Sequence, residues 1–341
     1  MKSRLLNGRT TRKIELTEMG FGGAPLGNLY RKVEEVDAQA ALDTAYAAGI
    51  RYFDTAPQYG LGLSEERFGH AFDRIDRSSI QLSTKIGRLL LDCAPEEVTP
   101  EAFVDVPQKR IVFDYSYEGV MRSYEDSRKR LGIENADILL VHDVCAFSQG
   151  SQEASDARVR ELFDQGGYAA LNELKNHGHI AAIGAGVNEW QVCEKLLGLG
   201  DFDCFLLAGR YTLLEQDALK SFLPLCEQRD VGIIIGGPYN SGILATGAIK
   251  GAKYNYADAS EEILQRVRKI EAVCASYDVP LIAAALQFVL GHPAIKTVIP
   301  GAVNAEQVDA NAALLKTPIP ASLWSDLKTE KLIQPDAPLP R

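Results

Sequence analysis

Residues Arg51 to Gly60 (RYFDTAPQYG) join a short apolar strand to a carboxylate, a proline break and a tyrosine. The tyrosine lies five residues after the carboxylate, so Asp54 and Tyr59 share one strand-to-loop transition and can face the same cleft. Two further segments have the same form. Ile80 to Lys85 is a strand ending in a lysine, and Ile138 to Asp143 is a strand ending in His142. A free tyrosine hydroxyl has a pKa of about 10, and bringing it to neutrality requires roughly 4 kcal/mol of differential interaction. A desolvated ammonium beside it could supply much of that by favouring the phenolate. In this reading Asp54 holds Lys85, Lys85 activates Tyr59, and His142 donates a hydrogen bond to a substrate oxygen. The product is an acid/base at a carbonyl or carbinol oxygen. Each residue alone also has a structural reading: an Asx-turn for Asp54, a snorkelling strand end for Lys85, a satisfied core histidine for His142. Their order on consecutive strands favours chemistry.

Strands are expected at about 18–22, 51–54, 80–85, 138–142, 180–185, 203–207, 231–236 and 296–299, with segments of helical period between them. Eight strands, each followed by a helix, give an α/β fold, a (β/α)8 TIM barrel, over one domain spanning 1–341. Residues 4–15 form a candidate hairpin with its turn at Asn7 and Gly8, placed to plug the barrel bottom. Leu281 to Leu290 is an extra apolar helix before the last strand. Two long connections, 86–116 and 143–166, leave the face that carries the four titratable residues and are expected to wall a substrate pocket.

The 341 residues are 46% hydrophobic and 24% charged, with formal net charge −10. That balance argues against a nucleic-acid partner, which would want a basic stripe. No run of 18 apolar residues exists, so no membrane helix is expected. The polar N-terminus lacks a secretory core, and the six cysteines form no CxxC pair. A cytoplasmic location with reduced thiols is the expectation.

The whole series resembles the aldo-keto reductase superfamily. The carrying pieces are Gly20-Phe-Gly22-Gly23-Ala-Pro-Leu-Gly27, Phe53-Asp54-Thr55-Ala56 with Tyr59-Gly60, Ser64-Glu65, Ser83-Thr-Lys85, Leu140-Val-His142-Asp143, Ile183 to Asn188 and Ile299-Pro300-Gly301. The resemblance implies a catalytic tetrad at Asp54, Tyr59, Lys85 and His142, direct hydride transfer with a nicotinamide dinucleotide at the barrel mouth, and no metal. Val112 to Val120, Arg130 to Gly132, Gly186 to Trp190 and Leu207 to Gln216 are most similar to D-threo-aldose 1-dehydrogenases (L-fucose or galactose dehydrogenases) and to pyridoxal 4-dehydrogenases. The substrate implied is a sugar or small aldehyde, and Tyr115, Trp190 and Arg210 are candidates to line its pocket.

Cofactor contacts are expected from Gly22, Gly23, Asp54, Asn188, Gly236, Pro238, Asn240, Ser241, Gly242, Gly301, Gln307 and Asn311. The Gly-rich turn 236–242 suits a pyrophosphate. Gln307 stands where NADPH-using relatives place an arginine for the 2′-phosphate, and Glu306 precedes it, so the sequence leans to NAD over NADP. The family's stacking tyrosine on strand seven is replaced by Gly236, and its strand-six glutamine by Ala208.

Overall fold

The structure, a computed structural model, describes residues 1–6 and 9–340. Its central sheet has eight strands: β1 (Phe21–Gly22), β2 (Tyr52–Asp54), β3 (Gln81–Ile86), β4 (Ile138–His142), β5 (Ala182–Val187), β6 (Cys204–Ala208), β7 (Gly232–Gly236) and β8 (Ile295–Ile299). They lie in sequence order and pair in parallel from β1 to β8. Parallel bridges Met19↔Val298 and Gly22↔Gly301 join the first strand to the last. Gly20 N donates to Val298 O at 2.9 Å, and Val298 N donates to Glu18 O at 3.0 Å. The sheet therefore closes into the expected barrel.

Side chains alternate across each strand, so residues two apart share a face. Phe53, Leu82, Leu139, Val141, Ile183, Phe205, Leu207, Ile233 and Ile235 face outward into the layer under the helices. Tyr52, Ile138, Leu140, Ala182, Cys204, Leu206, Ile234 and Ile299 face inward and form a second buried cluster. Leu6, Ile14 and Leu16 belong to that inner cluster. They come from antiparallel strands Ser3–Leu6 and Ile14–Thr17, so this hairpin closes the barrel bottom. Its expected turn at Asn7 and Gly8 lies outside the described residues.

The surrounding helices are α1 (Glu35–Ala47), α2 (Leu63–Ala71), α3 (Tyr117–Leu131), α4 (Gln152–Asp164), α5 (Gly167–Asn176), α6 (Trp190–Leu199), α7 (Phe222–Arg229), α8 (Glu261–Ala275), α9 (Leu281–Phe288), α10 (Ala305–Leu314) and α11 (Ala321–Thr329). Local chemistry sets their ends. Ser116 caps α3 by accepting from Gly119 N, and Gly132 ends it in the left-handed region at φ 62° behind three basic residues.

The two long connections are more ordered than their sequence suggests. Residues 86–116 contain an antiparallel hairpin, Arg88–Asp92 against Lys109–Phe113. Residues 143–166 are mostly helical: a short turn at Ala146–Gln149 precedes α4, which Ser151 caps through Ala154 N and which buries Val159 and Leu162.

The plug gives a direct test. Leu16 is fully buried within the barrel. Leu16→Ala should lower the unfolding free energy by about 2–5 kcal/mol, as truncations at such core positions do. Denaturant titration checks this, and an unchanged midpoint would mean the hairpin is not part of the folded core.

Candidate active site

The C-terminal ends of β2, β3 and β4 deliver the titratable residues to one place. Asp54 pairs in register with Ser83 across β2 and β3, and Lys85, two residues on, shares the Ser83 face. Lys85 Nζ lies 2.8 Å from Asp54 Oδ2 and donates to Thr55 O at 2.8 Å. Ser83 Oγ donates to Asp54 Oδ1 at 2.6 Å. With its proton so committed, Ser83 accepts from the Tyr52 hydroxyl at 2.8 Å. Asp54 and Lys85 are each 1% exposed, so the charges neutralise each other inside the barrel. A Cβ at Gly186 would lie 3.1 Å from Lys85 Cε; the glycine on β5 leaves room for the ammonium chain.

Tyr59 follows on the loop after β2. That loop sits backbone to backbone on the turn after β1, where a Cβ at Gly27 would come within 2.4 Å of Tyr59 C and one at Gly60 within 2.4 Å of Gly27 O. Lys85 Nζ stands 4.5 Å from the centre of the Tyr59 ring, over its face. Tyr59 and His142 rings meet edge to face at 5.9 Å. All four residues of the expected tetrad thus converge.

The electrostatics differ from the sequence reading in one respect. Burial, followed by the charges of Asp54 and Asp143, pushes the Tyr59 phenol well above its usual pKa. The Lys85 ammonium is spent on Asp54 and sits over the ring rather than opposing this shift. Burial likewise raises the Asp54 carboxyl, while Lys85 and Ser83 pull it back. For His142, burial pushes the pKa down to about 3; Lys85 and Arg88 add to this and Asp143 opposes it. The imidazole is neutral, and Asp143 Oδ2 lies 3.4 Å from its Nε2. That favours the Nε2–H tautomer, a hydrogen-bond donor beside the cleft.

Behind this group is a layer the sequence reading missed. Arg88, 4% exposed, donates to Asp143 Oδ2 at 2.6 Å and to Glu101 Oε1 at 2.8 Å. Glu101 also accepts from Gln58 Nε2. Burial pushes the Asp143 carboxyl up, but His142, Arg88 and Ser148 outweigh it and hold it below the usual carboxylate range.

Two adjoining arms make up the cleft and share Ala24, Leu29, Tyr30, Tyr59, Asn188, Leu206, Ala208 and Tyr256. One arm, about 440 Å³, is lined by Gln58, Tyr59, Lys85, Arg88, Glu101, Phe103, His142, Asp143 and Ser148. The other, about 360 Å³, runs past Gly22, Asp54, Arg210, Gly236, Gly237, Asn240, Ser241, Gly242 and Gly301. Small residues and a single lining cation, Arg210, suit this second arm to an extended anionic ligand, and Asn188 offers an amide at the junction. The residues therefore fit a nicotinamide dinucleotide. Asn240, Ser241 and Gly242 have φ of 46°, 59° and 101°, and open space lies where a Gly242 side chain would be.

Several expected contacts are placed differently. Gly23 is packed inside the fold, donating to Asp54 O at 2.7 Å, and Pro238 is buried outside the cleft lining. Asn240 spends its amide on Gly209 O and Thr212 Oγ1. Gln307 Oε1 accepts from Val303 N at 3.0 Å, while Asn311 accepts from the Tyr239 hydroxyl at 2.8 Å. Tyr115 and Trp190 line neither arm. Tyr115 is fully buried and its hydroxyl donates to His142 O at 2.5 Å, fixing the histidine from behind. Trp190 opens α6 and packs against the outer core. Arg210 does reach the cleft; it donates to Asn255 Oδ1 at 2.7 Å and lies over Phe147 at 5.7 Å.

A model of the Aldo/keto reductase family matches residues 18–330, and the chain belongs to that family of oxidoreductases, whose members use NAD(P). Pyridoxal 4-dehydrogenase of Microbacterium luteolum is 41% identical over 329 residues, covering 94% of this chain and 95% of that protein. D-threo-aldose 1-dehydrogenase of a Pseudomonas species is 35% identical over 325 residues, with 94% and 95% covered. The holo form of an aldo-keto reductase from Bacillus halodurans superposes with TM-score 0.74 at 24% identity, covering 98% of this chain and 97% of that one, a likeness of fold. No helix among the described residues is long and apolar enough to cross a membrane.

The depressed His142 pKa predicts an acid sensitivity. The unfolded chain takes up a proton near the ordinary pKa of 6.5, whereas the folded one resists it down to about 3. Stability contributed by the neutral form is therefore complete above the first value and lost progressively as pH falls toward the second. Unfolding free energies near neutrality and at about pH 4 should differ more for the wild type than for His142→Gln. Equal differences would show that His142 does not titrate across folding.

Proposed function

We propose that this protein is an NAD-dependent dehydrogenase that oxidises C1 of an aldose such as L-fucose or another D-threo-aldose, in its cyclic form, to the lactone. The observation that carries the reading is the junction of the two arms. There Tyr59 lines both arms, with the neutral His142 imidazole beside it in the larger arm and the small-residue groove on the other side. Both named relatives are dehydrogenases, and the pairing of sugar and dinucleotide suits the two arms. A dinucleotide in the groove supplies the hydride acceptor.

In this assignment Asp54, Tyr59, Lys85 and His142 are the catalytic group. Tyr59 exchanges the proton at the anomeric oxygen, and His142 Nε2, 3.4 Å from Asp143 Oδ2, shares its hydrogen with that oxygen to orient it. Asp54 and Lys85 hold the ring and its surroundings rigid. Gly22, Asn188, Gly236, Ser241, Gly242 and Gly301 flank the dinucleotide, with Asn311 beyond. Arg210 lies where the pyrophosphate or ribose would run. A second reading is oxidation of a hemiacetal such as that of pyridoxal, supported by the 41% identical relative. NADPH-dependent carbonyl reduction also has support, since Tyr59 is held as the protonated phenol from which such a reduction takes its proton.

Tyr59→Phe keeps the ring and removes the proton carrier, so turnover should fall by about 10²- to 10⁴-fold with cofactor affinity nearly unchanged. Because burial raises the phenol, kcat/KM for oxidation should climb with pH through the alkaline range as the proton-accepting form grows. Cofactor reduction followed by absorbance over a panel of aldoses and pyridoxal reads both. Near-wild-type activity of the variant would remove Tyr59 from the mechanism.

Cofactor choice rests on the first turn of α10. Gly301, Ala302 and Gln307 carry no positive charge, Glu306 is exposed in that turn, and Lys253 of the 247–258 loop is paired with Asp258 at 2.7 Å. A 2′-phosphate there forgoes a charge-assisted bond, which corresponds to about tenfold in affinity. Measured kcat/KM should favour NAD over NADP, and Gln307→Arg should narrow the gap most at low ionic strength. Equal values for the wild type would overturn the preference.

A further inference from the structure

The larger arm of the cleft is unusual in its charge. Lys85 lines this arm, and its ammonium is cancelled from behind by Asp54, which lines the other arm, at 2.8 Å. On its wall a single cation, Arg88, faces two carboxylates, Asp143 at 2.6 Å and Glu101 at 2.8 Å. One positive against two negative charges leaves the wall at net −1. Arg210, the remaining cation of the cleft, lines the other arm. Arg88 and Asp143 are 4% and 7% exposed and pair to zero net charge, so the excess rests on Glu101, which is exposed and open to screening by salt. The Tyr59 phenol registers the same field: Asp143 raises its pKa and Arg88 only partly opposes it.

We propose that this three-residue array selects electrically neutral, unphosphorylated polyhydroxy substrates and rejects anionic analogues such as sugar phosphates and uronates. The inference rests on the larger arm being the substrate site, and it goes beyond naming an aldose because it assigns specificity to Glu101 and Asp143. The chemistry is that of hydroxyl recognition. Glu101 Oε1 and Oε2 each accept one bond, from Arg88 and Gln58. Asp143 Oδ1 accepts from Ser148 Oγ at 3.0 Å and Oδ2 accepts from Arg88. Each carboxylate oxygen has a further lone pair, so the array can accept from ring hydroxyls without releasing Arg88. Phe103 beside it supplies an apolar ring for the C–H face of a sugar. A carboxylate or phosphate on the substrate meets the same oxygens and is repelled, while Arg88 directs Nη1 and Nη2 at them and its Nε is buried. The groove for the dinucleotide, in contrast, has Arg210 and no lining carboxylate apart from the paired Asp54. The two arms thus sort neutral substrate from anionic cofactor.

Two ligand pairs test this. The first, 4-nitrobenzaldehyde against 4-carboxybenzaldehyde reduced with NADH and NADPH, needs only family-level activity. The second is L-galactose, which shares the D-threo C2–C3 configuration of L-fucose, against L-galacturonate, oxidised with NAD. For the wild type the neutral member should have kcat/KM about tenfold or more above the anionic one at low ionic strength, carried by KM and shrinking with added salt. Glu101→Gln, on a partly exposed loop, should close most of that gap by lowering KM for the anion, while Glu101→Asp should restore it. A purely structural role would move both members of a pair equally. If neither sugar is oxidised but the aldehyde pair shows the preference, the aldose reading fails and the charge selection stands. If the anionic aldehyde is reduced as well as the neutral one, or the gap survives Glu101→Gln unchanged, the selection is overturned whatever the sugar result. Should neither aldehyde turn over, calorimetric titration of the pair onto NAD-saturated protein gives the same comparison, and equal affinities overturn the proposal.

Discussion

An ammonium inside a barrel is costly unless a counter-charge and hydrogen bonds surround it, because desolvation of each ion amounts to several kcal/mol. Lys85 meets that condition with Asp54 and the Thr55 carbonyl, both at 2.8 Å. Much else follows from keeping that pair together. Ser83 must stand opposite Asp54 in register, Tyr52 must give its hydroxyl proton to Ser83, and β5 must carry a glycine where the lysine chain passes. Tyr52 also belongs to the inner cluster that packs on the N-terminal hairpin. A continuous line of contacts therefore runs from the plug at the barrel bottom to the reactive cleft. Truncating one ion would leave the other buried and unpaired, a change worth about 3–5 kcal/mol in such sites.

That pairing also decides what Lys85 does for Tyr59. A free ammonium beside a phenol would lower its pKa; one whose charge is cancelled at 2.8 Å does so far less. Burial wins, and Tyr59 remains a phenol. The tyrosine therefore keeps its proton, with Asp54 and Asp143 reinforcing the effect of burial and Arg88 opposing it.

The tetrad was legible because strand periodicity is short and strand ends are marked. Asp54 and His142 each close a short apolar run and Lys85 stands near the end of an alternating strand, and parallel pairing in sequence order brings such ends together. Glu101 and Asp143 were not legible. Glu101 lies in a 31-residue connection whose hairpin, Arg88–Asp92 with Lys109–Phe113, carries no tight-turn signal between its strands. Asp143 follows His142 with φ 56°, a conformation set by the tertiary setting. The helix α4 escaped notice because its sequence is mostly polar and only Ser155, Val159 and Leu162 are buried. Tyr115 shows the limit from the other side: the residue was found, but its role is to hold the His142 carbonyl from the interior, which no spacing rule reveals.

Arg88 links these observations. It rises from the loop after β3, reaches across to the residue after β4, and ties both to the mouth segment at Glu101. The mouth segment is itself bound to the loop after β1, where Tyr30 N donates to Ala102 O and Val104 N donates to Asn28 O. The same guanidinium thus fixes the cleft's wall and sets its charge. A neutral side chain at that position would leave Asp143 and Glu101 facing one another across the cavity without a counter-ion. The carboxylates would then have to separate or protonate, and either response alters the field at Tyr59 and the hydrogen-bonding state of His142. Geometry and electrostatics at this mouth are therefore one constraint: the cation that orders the wall is the cation that keeps two acids beside the acid/base.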